Sequence, residues 1–83
     1  AVSQHEPDAT QTRPPTQEAN AERLQREGRA ALDRGDIESA IAALSSARDL
    51  DPEDSVIRLD LGLALNQRGA FKLGIVELTA ALT

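Results

Sequence analysis

Cysteine, methionine, tryptophan and tyrosine are all missing from this 83-residue sequence, and phenylalanine occurs once, at Phe71. Without cysteine there is no disulfide and no thiolate metal site. The single histidine, His5, has no metal-ligand partners beside it in sequence and takes no role. Lysine also occurs once, at Lys72, among 9 basic residues set against 14 acidic ones, for a net charge of −5. A mildly acidic chain with one ring lacks the basic stripes and stacking surfaces that nucleic acid requires, so no nucleic-acid partner is expected. No apolar run reaches the roughly 18 residues needed to span a bilayer, so no transmembrane segment is expected either.

What is present divides into two unlike parts. Residues 1–20 (AVSQHEPDATQTRPPTQEAN) hold three of the four prolines and only scattered apolar side chains. Such a composition cannot offset the entropy of ordering, and it reads as a disordered tail or linker. The start at Ala1 without Met fits an export signal removed from the chain or a piece of a longer protein. Eight arginines with abundant alanine fit a GC-rich bacterial genome. These signs favour an exported, tethered location such as the periplasm, with the cytoplasm as the alternative.

The remainder repeats itself. An offset of 34 residues takes Gly28 to Gly62, Gly35 to Gly69, Leu44 to Leu78 and Ala47 to Ala81, and takes Ala40 to another small residue, Gly74. A period of about 34 residues marks a helix–turn–helix unit that stacks on its neighbours because it cannot bury its apolar face alone. The first helix is expected from the N-cap Asn20 to about Arg34, with Gly35 closing it. The second follows the cap Asp36 and runs to about Leu50. Asp51 is expected to cap the third, with Pro52 in its first turn and Glu53 and Asp54 favouring the dipole. That helix runs to about Arg68, with Gly69 behind it. The fourth runs from Phe71 to the chain end and starts less sharply, because Ala70 stands where the first unit has Asp36. The fold class is therefore all-α, with two stacked antiparallel hairpins behind a disordered tail.

Leu24, Gly28, Gly35, Ala40, Leu44, Ala47 and Pro52 in unit 21–54, and Leu61, Gly62, Leu65, Gly69, Gly74, Leu78 and Ala81 in unit 55–83, resemble the tetratricopeptide repeat (TPR). The second unit is incomplete at its C-terminus. The resemblance covers about three quarters of the chain and implies a helical solenoid whose first helices line a ligand-binding groove. The family usually has aromatics where this chain has Leu24, Ala31, Arg58 and Leu65, so this core is lighter and aliphatic. Some relatives clamp a peptide's C-terminal carboxylate with lysine and asparagine. The matching positions here are Gln25, Arg29 and Asp60, which lack the required chemistry, and that function is not carried over.

On the third helix Val56, Leu59 and Leu63 fall on one apolar stripe at spacings of 3, 4 and 7. The expected groove joins that stripe and Asn66 to Gln25, Arg26, Arg29 and Leu32 of the first helix. A peptide or amphipathic helix with some acidic residues would suit it, apolar anchors on the stripe and carboxylates on Arg26 and Arg29. The alternative for the stripe is packing against the first helix or a further unit. The fourth helix is apolar around most of its circumference, whereas a terminal repeat helix should carry a polar outer face. Phe71, Ile75, Leu78 and Leu82 are therefore a candidate self-association surface. Arg34-Gly35-Asp36 reads as a hairpin turn and not as an adhesive motif. Asp49, Asp51, Glu53 and Asp54 imitate the start of a calcium loop, but Asp54 occupies the place of its glycine. Ser45 and Ser46 have no base in reach, and Glu27 and Asp33 read as solvated helix faces. No catalytic residue, metal site or cofactor is expected. The function expected is a protein-binding adaptor, with a self-assembling structural module or a component of a bacterial envelope assembly machine as alternatives.

Overall fold

The computed structural model describes residues 16–83. The expected linker up to residue 15, including His5, lies outside the described residues. The rest forms four helices: α1 (Gln17–Arg34), α2 (Ile37–Leu50), α3 (Ser55–Arg68) and α4 (Phe71–Leu82). Helices α1 and α2 form one antiparallel hairpin, α3 and α4 a second, and the hairpins stack chiefly through α2 on α3 with a lesser contact of α1 on α3.

Each hairpin turns on a glycine with positive φ, 81° at Gly35 and 93° at Gly69. The closures match. The amide of Gly35 donates to Leu32 O at 2.9 Å and that of Asp36 to Ala31 O at 2.8 Å; Gly69 donates to Asn66 O at 3.0 Å and Ala70 to Leu65 O at 2.9 Å. This double bond satisfies carbonyls that the helix end would leave without partners, and it requires the left-handed conformation that glycine tolerates.

Two helix starts differ from expectation. Helix α1 begins four residues upstream of the expected region, at Gln17, because Thr16 is an equivalent cap whose hydroxyl accepts from Ala19 N–H at 2.9 Å. Asn20 is inside the first turn, its amide bonded to Thr16 O at 3.0 Å. Residues 17–20 thus belong to the folded unit and not to the tail. Helix α3 is capped by Asp54, whose carboxylate accepts from Val56 and Ile57 N–H at 2.9 and 3.1 Å. Asp51 instead ends α2, its amide bonded to Ala47 O at 2.9 Å, and Asp51–Asp54 is a turn closed by a 3.2 Å backbone bond. Proline restricts the residue before it to extended backbone, so Asp51 cannot be drawn into a continuing helix and Pro52 stays in the turn. Ala70 caps α4 without a side-chain bond.

The core is aliphatic and in two patches. Ala31, Ala40, Leu44, Leu61, Ala64 and Leu65 form one; Ala21, Ala47 and Ile57 form the other. Small residues set the helix spacing. A Cβ on Gly28 would lie 2.5 Å from Leu44 Cγ, and one on Gly62 would lie 2.7 Å from Leu78 Cγ and 3.1 Å from the Gly74 carbonyl oxygen.

Candidate protein-binding surface

Asp60 organises the junction of the hairpins. It is only 3 % exposed, and a carboxylate so placed needs partners. Gln25 Nε2 donates to its Oδ2 at 2.6 Å and Arg29 Nη1 to its Oδ1 at 3.2 Å. Two groove candidates are therefore committed to an acid within the chain. Arg29 also approaches Asp33 at 3.6 Å. Arg26 is exposed and takes part in none of the ion pairs among the described residues.

Beside this closed junction lies the apolar stripe. Val56, Leu59 and Leu63 are 55, 44 and 39 % exposed, so α1 does not cover them. The other two groove candidates turn inward. Leu32 packs against the larger core patch. The Asn66 carboxamide lies over Gly74, in direct contact with the space a Cβ would fill, and its oxygen is buried without a hydrogen-bond partner among the described residues.

On α4, Phe71, Ile75 and Leu82 are exposed as expected of an outer face, but Leu78 is not part of it: it fills the space above Gly62. Leu73 and Val76 add a second exposed stripe along the opposite flank. Between α4 and the core lies Glu77, buried and held by Arg48 Nη1 at 2.7 Å and Arg58 Nη1 at 2.9 Å. This bond raises the pKa of Arg48 above its usual value, so the guanidinium stays charged at any working pH. The pair ties α2 to α4, two helices whose backbones do not pack on each other. Sequence reasoning passed over Glu77. The available signal was that it is the single carboxylate in the apolar helix α4.

The pKa of Asp36 is lowered, first by the Ser39 hydroxyl and then by the Ser39 amide, as befits a carboxylate capping α2. Among the described residues no group of three or more His, Cys, Asp or Glu side chains could hold a metal ion, and no helix is long and apolar enough to cross a membrane. The surface offers an apolar stripe of branched side chains on α3, an exposed cation on α1 at Arg26, and a further apolar face on α4. Such a surface can bind another polypeptide. Comparison with protein-family models, with curated proteins and with solved structures finds no match to this chain.

Proposed function

We propose that the chain is a non-catalytic protein-binding module of TPR type, taking a peptide or amphipathic helix along the groove side of α3. The carrying observation is the exposed stripe Val56, Leu59 and Leu63, on a helix whose opposite face is buried. Three branched side chains in i, i+3, i+7 array match the anchor spacing of a bound helix. Arg26 favours a ligand with a carboxylate at one edge, and Gln25 and Arg29 fix the angle of the wall through Asp60.

The test is selection of 12- to 16-residue displayed peptides on the full chain. The reading expects peptides with apolar anchors at helical spacing and acidic flanks. Leu63→Glu should weaken them at least about tenfold, the effect of burying an unpaired charge, while helicity by circular dichroism is retained. Leu73→Glu, on the far flank of α4, should leave them unchanged. Equal binding to the Leu63→Glu chain would overturn the assignment. Self-association is the second reading, favoured by exposed Phe71, Ile75 and Leu82; sedimentation equilibrium separates the two.

A further inference from the structure

The two hairpins meet along α2 and α3, with α1 on one side of that line and α4 on the other. Helix α1 touches α3 lightly, and the backbones of α2 and α4 do not pack on each other. One hairpin is therefore free to rock on the other about the α2–α3 line. Rocking that brings α1 towards α3 carries α2 away from α4, and the reverse.

A buried acid stands on each side of the line, and Asp60 and Glu77 are the buried charged residues among those described. On the α1 side, Asp60 of α3 is held across the junction by Gln25 and Arg29, at 2.6 and 3.2 Å. On the α4 side, Glu77 is held across the junction by Arg48 of α2 at 2.7 Å. Its other oxygen accepts from Arg58 Nη1 at 2.9 Å, and Arg58 Nε donates to Pro52 O in the α2–α3 turn at 2.7 Å. The remaining cross-link, Arg68 to Glu38 at 3.3 Å, joins α3 to α2 along the line itself. It is exposed at both ends and offers little resistance to rocking.

A hairpin of this shape does not require these charges. Arg58 and Glu77 correspond, 34 residues earlier, to Leu24 and Ala43; Gln25 and Arg29 correspond, 34 residues later, to Leu59 and Leu63. The same hairpin is thus built with apolar side chains at those positions. Replacing a buried ion pair by apolar groups of similar volume is often neutral or stabilising, and the best-attested use of buried ionic groups is to fix one arrangement among several. The aliphatic contact between α2 and α3 is non-directional and accommodates a range of angles. Hydrogen-bonded ion pairs are directional and do not.

We propose that Asp60 and Glu77 are opposed clamps on a rocking junction. Together they hold the hairpins at one angle, and release of either tips the stack towards the other. An event at Arg48 on the α4 side thereby changes the spacing of α1 and α3. The device is tested with no ligand present, so it stands or falls apart from the protein-binding reading.

The absence of cysteine from the sequence makes the test direct. Arg26→Cys with Gln67→Cys places nitroxide labels on α1 and α3; Ser46→Cys with Lys72→Cys places them on α2 and α4. All four positions are exposed. Pulsed electron paramagnetic resonance on the full chain gives the label-to-label distance. Into each labelled pair go two further changes. Arg48→Ala opens the α4-side clamp and leaves Glu77 paired with Arg58. Asp60→Ala opens the α1-side clamp and leaves Arg29 beside Asp33. Arg48→Ala is expected to lengthen the α2–α4 distance and shorten the α1–α3 distance, and Asp60→Ala to do the opposite. Arg48→Lys should return both distances part of the way to the parent values. If Asp60→Ala loses helix by circular dichroism, Asp60→Asn, which keeps the side-chain volume and a partner for Gln25, should shift the distances with the same sign. Distances that stay at the parent values in both variants would mean that the aliphatic contact alone sets the angle. Distances that lengthen together, or broaden together as helicity falls, would mean links that hold the units without opposing each other. Either result overturns the proposal.

Discussion

A methyl group on Gly28 would have to share space with three Leu44 carbons at 2.5, 2.9 and 3.2 Å, and Leu44 is fully buried with nowhere to go. Helix propensity favours Ala over Gly by about 1 kcal/mol in a helix interior, but overpacking costs about 1–3 kcal/mol. The clash wins. Gly28→Ala is expected to destabilise the chain, measured as a lower urea midpoint at unchanged m-value. Repetition made Gly28 and Gly62 legible in the sequence, since a small residue recurring at fixed offset signals a close approach. The fates of Asp60 and Asn66 were not legible in the same way. Both lie on flanks of α3, and whether a flank faces water or a neighbouring helix depends on crossing distances set by residues far away in sequence, such as Gly74 under Asn66.

Caps govern the ends of the elements, and here the sequence offered more of them than the fold uses. Thr16 and Asn20 both suit the start of α1, and Asp51 and Asp54 both suit that of α3; pattern reading has no basis for ranking equivalent caps, whereas the backbone chose Thr16 and Asp54. At α4 the sequence was unambiguous, because Ala70 has no side-chain acceptor and makes no cap bond. Its backbone, φ −85° and ψ 67°, nearly repeats the −90° and 80° of Asp36. The same backbone lets an aspartate side chain accept from the first amides of α4, at a position half-buried beside the larger core patch where Asp36 is exposed. Ala70→Asp is expected to stabilise by about 0.5–1 kcal/mol, raising Tm by several degrees. The pH dependence has a definite sign. The native pKa of Asp36 is lowered, so its contribution is fully present above the unfolded-state pKa and is lost as pH falls through the native value. Ala70→Asp adds a second carboxylate of the same kind, and its advantage over the parent should vanish at the acid end of a thermal-melt series.

Across the whole molecule the two ends of the stack differ. The outward side of α1 is a lattice of charged side chains, with Arg23 and Glu27 paired across one turn, while the opposite end presents Phe71, Ile75 and Leu82 to solvent. The apolar character of that end was readable directly from composition, since α4 holds one acid and one base in 12 residues. That unlikeness disfavours open-ended stacking of copies, because the charged end cannot cover the apolar one. Three ion links cross between the hairpins among the described residues, Arg29 to Asp60, Arg48 to Glu77 and Arg68 to Glu38, and tie the two units together.

Gly35 and Gly69 hold left-handed backbone, and a Cβ built on either meets nothing within 4 Å. Each turn is therefore a ready site for a residue of mirror-image configuration. A D-alanine at either position takes up the left-handed φ without strain and narrows the conformations of the unfolded chain, whereas L-alanine would be strained there despite the open space around its Cβ. Made by chemical synthesis, the D-alanine protein should melt later than its parent by the increment of about 0.4–1 kcal/mol that restricting a glycine supplies, and the L-alanine version earlier, so that handedness at one carbon decides the sign.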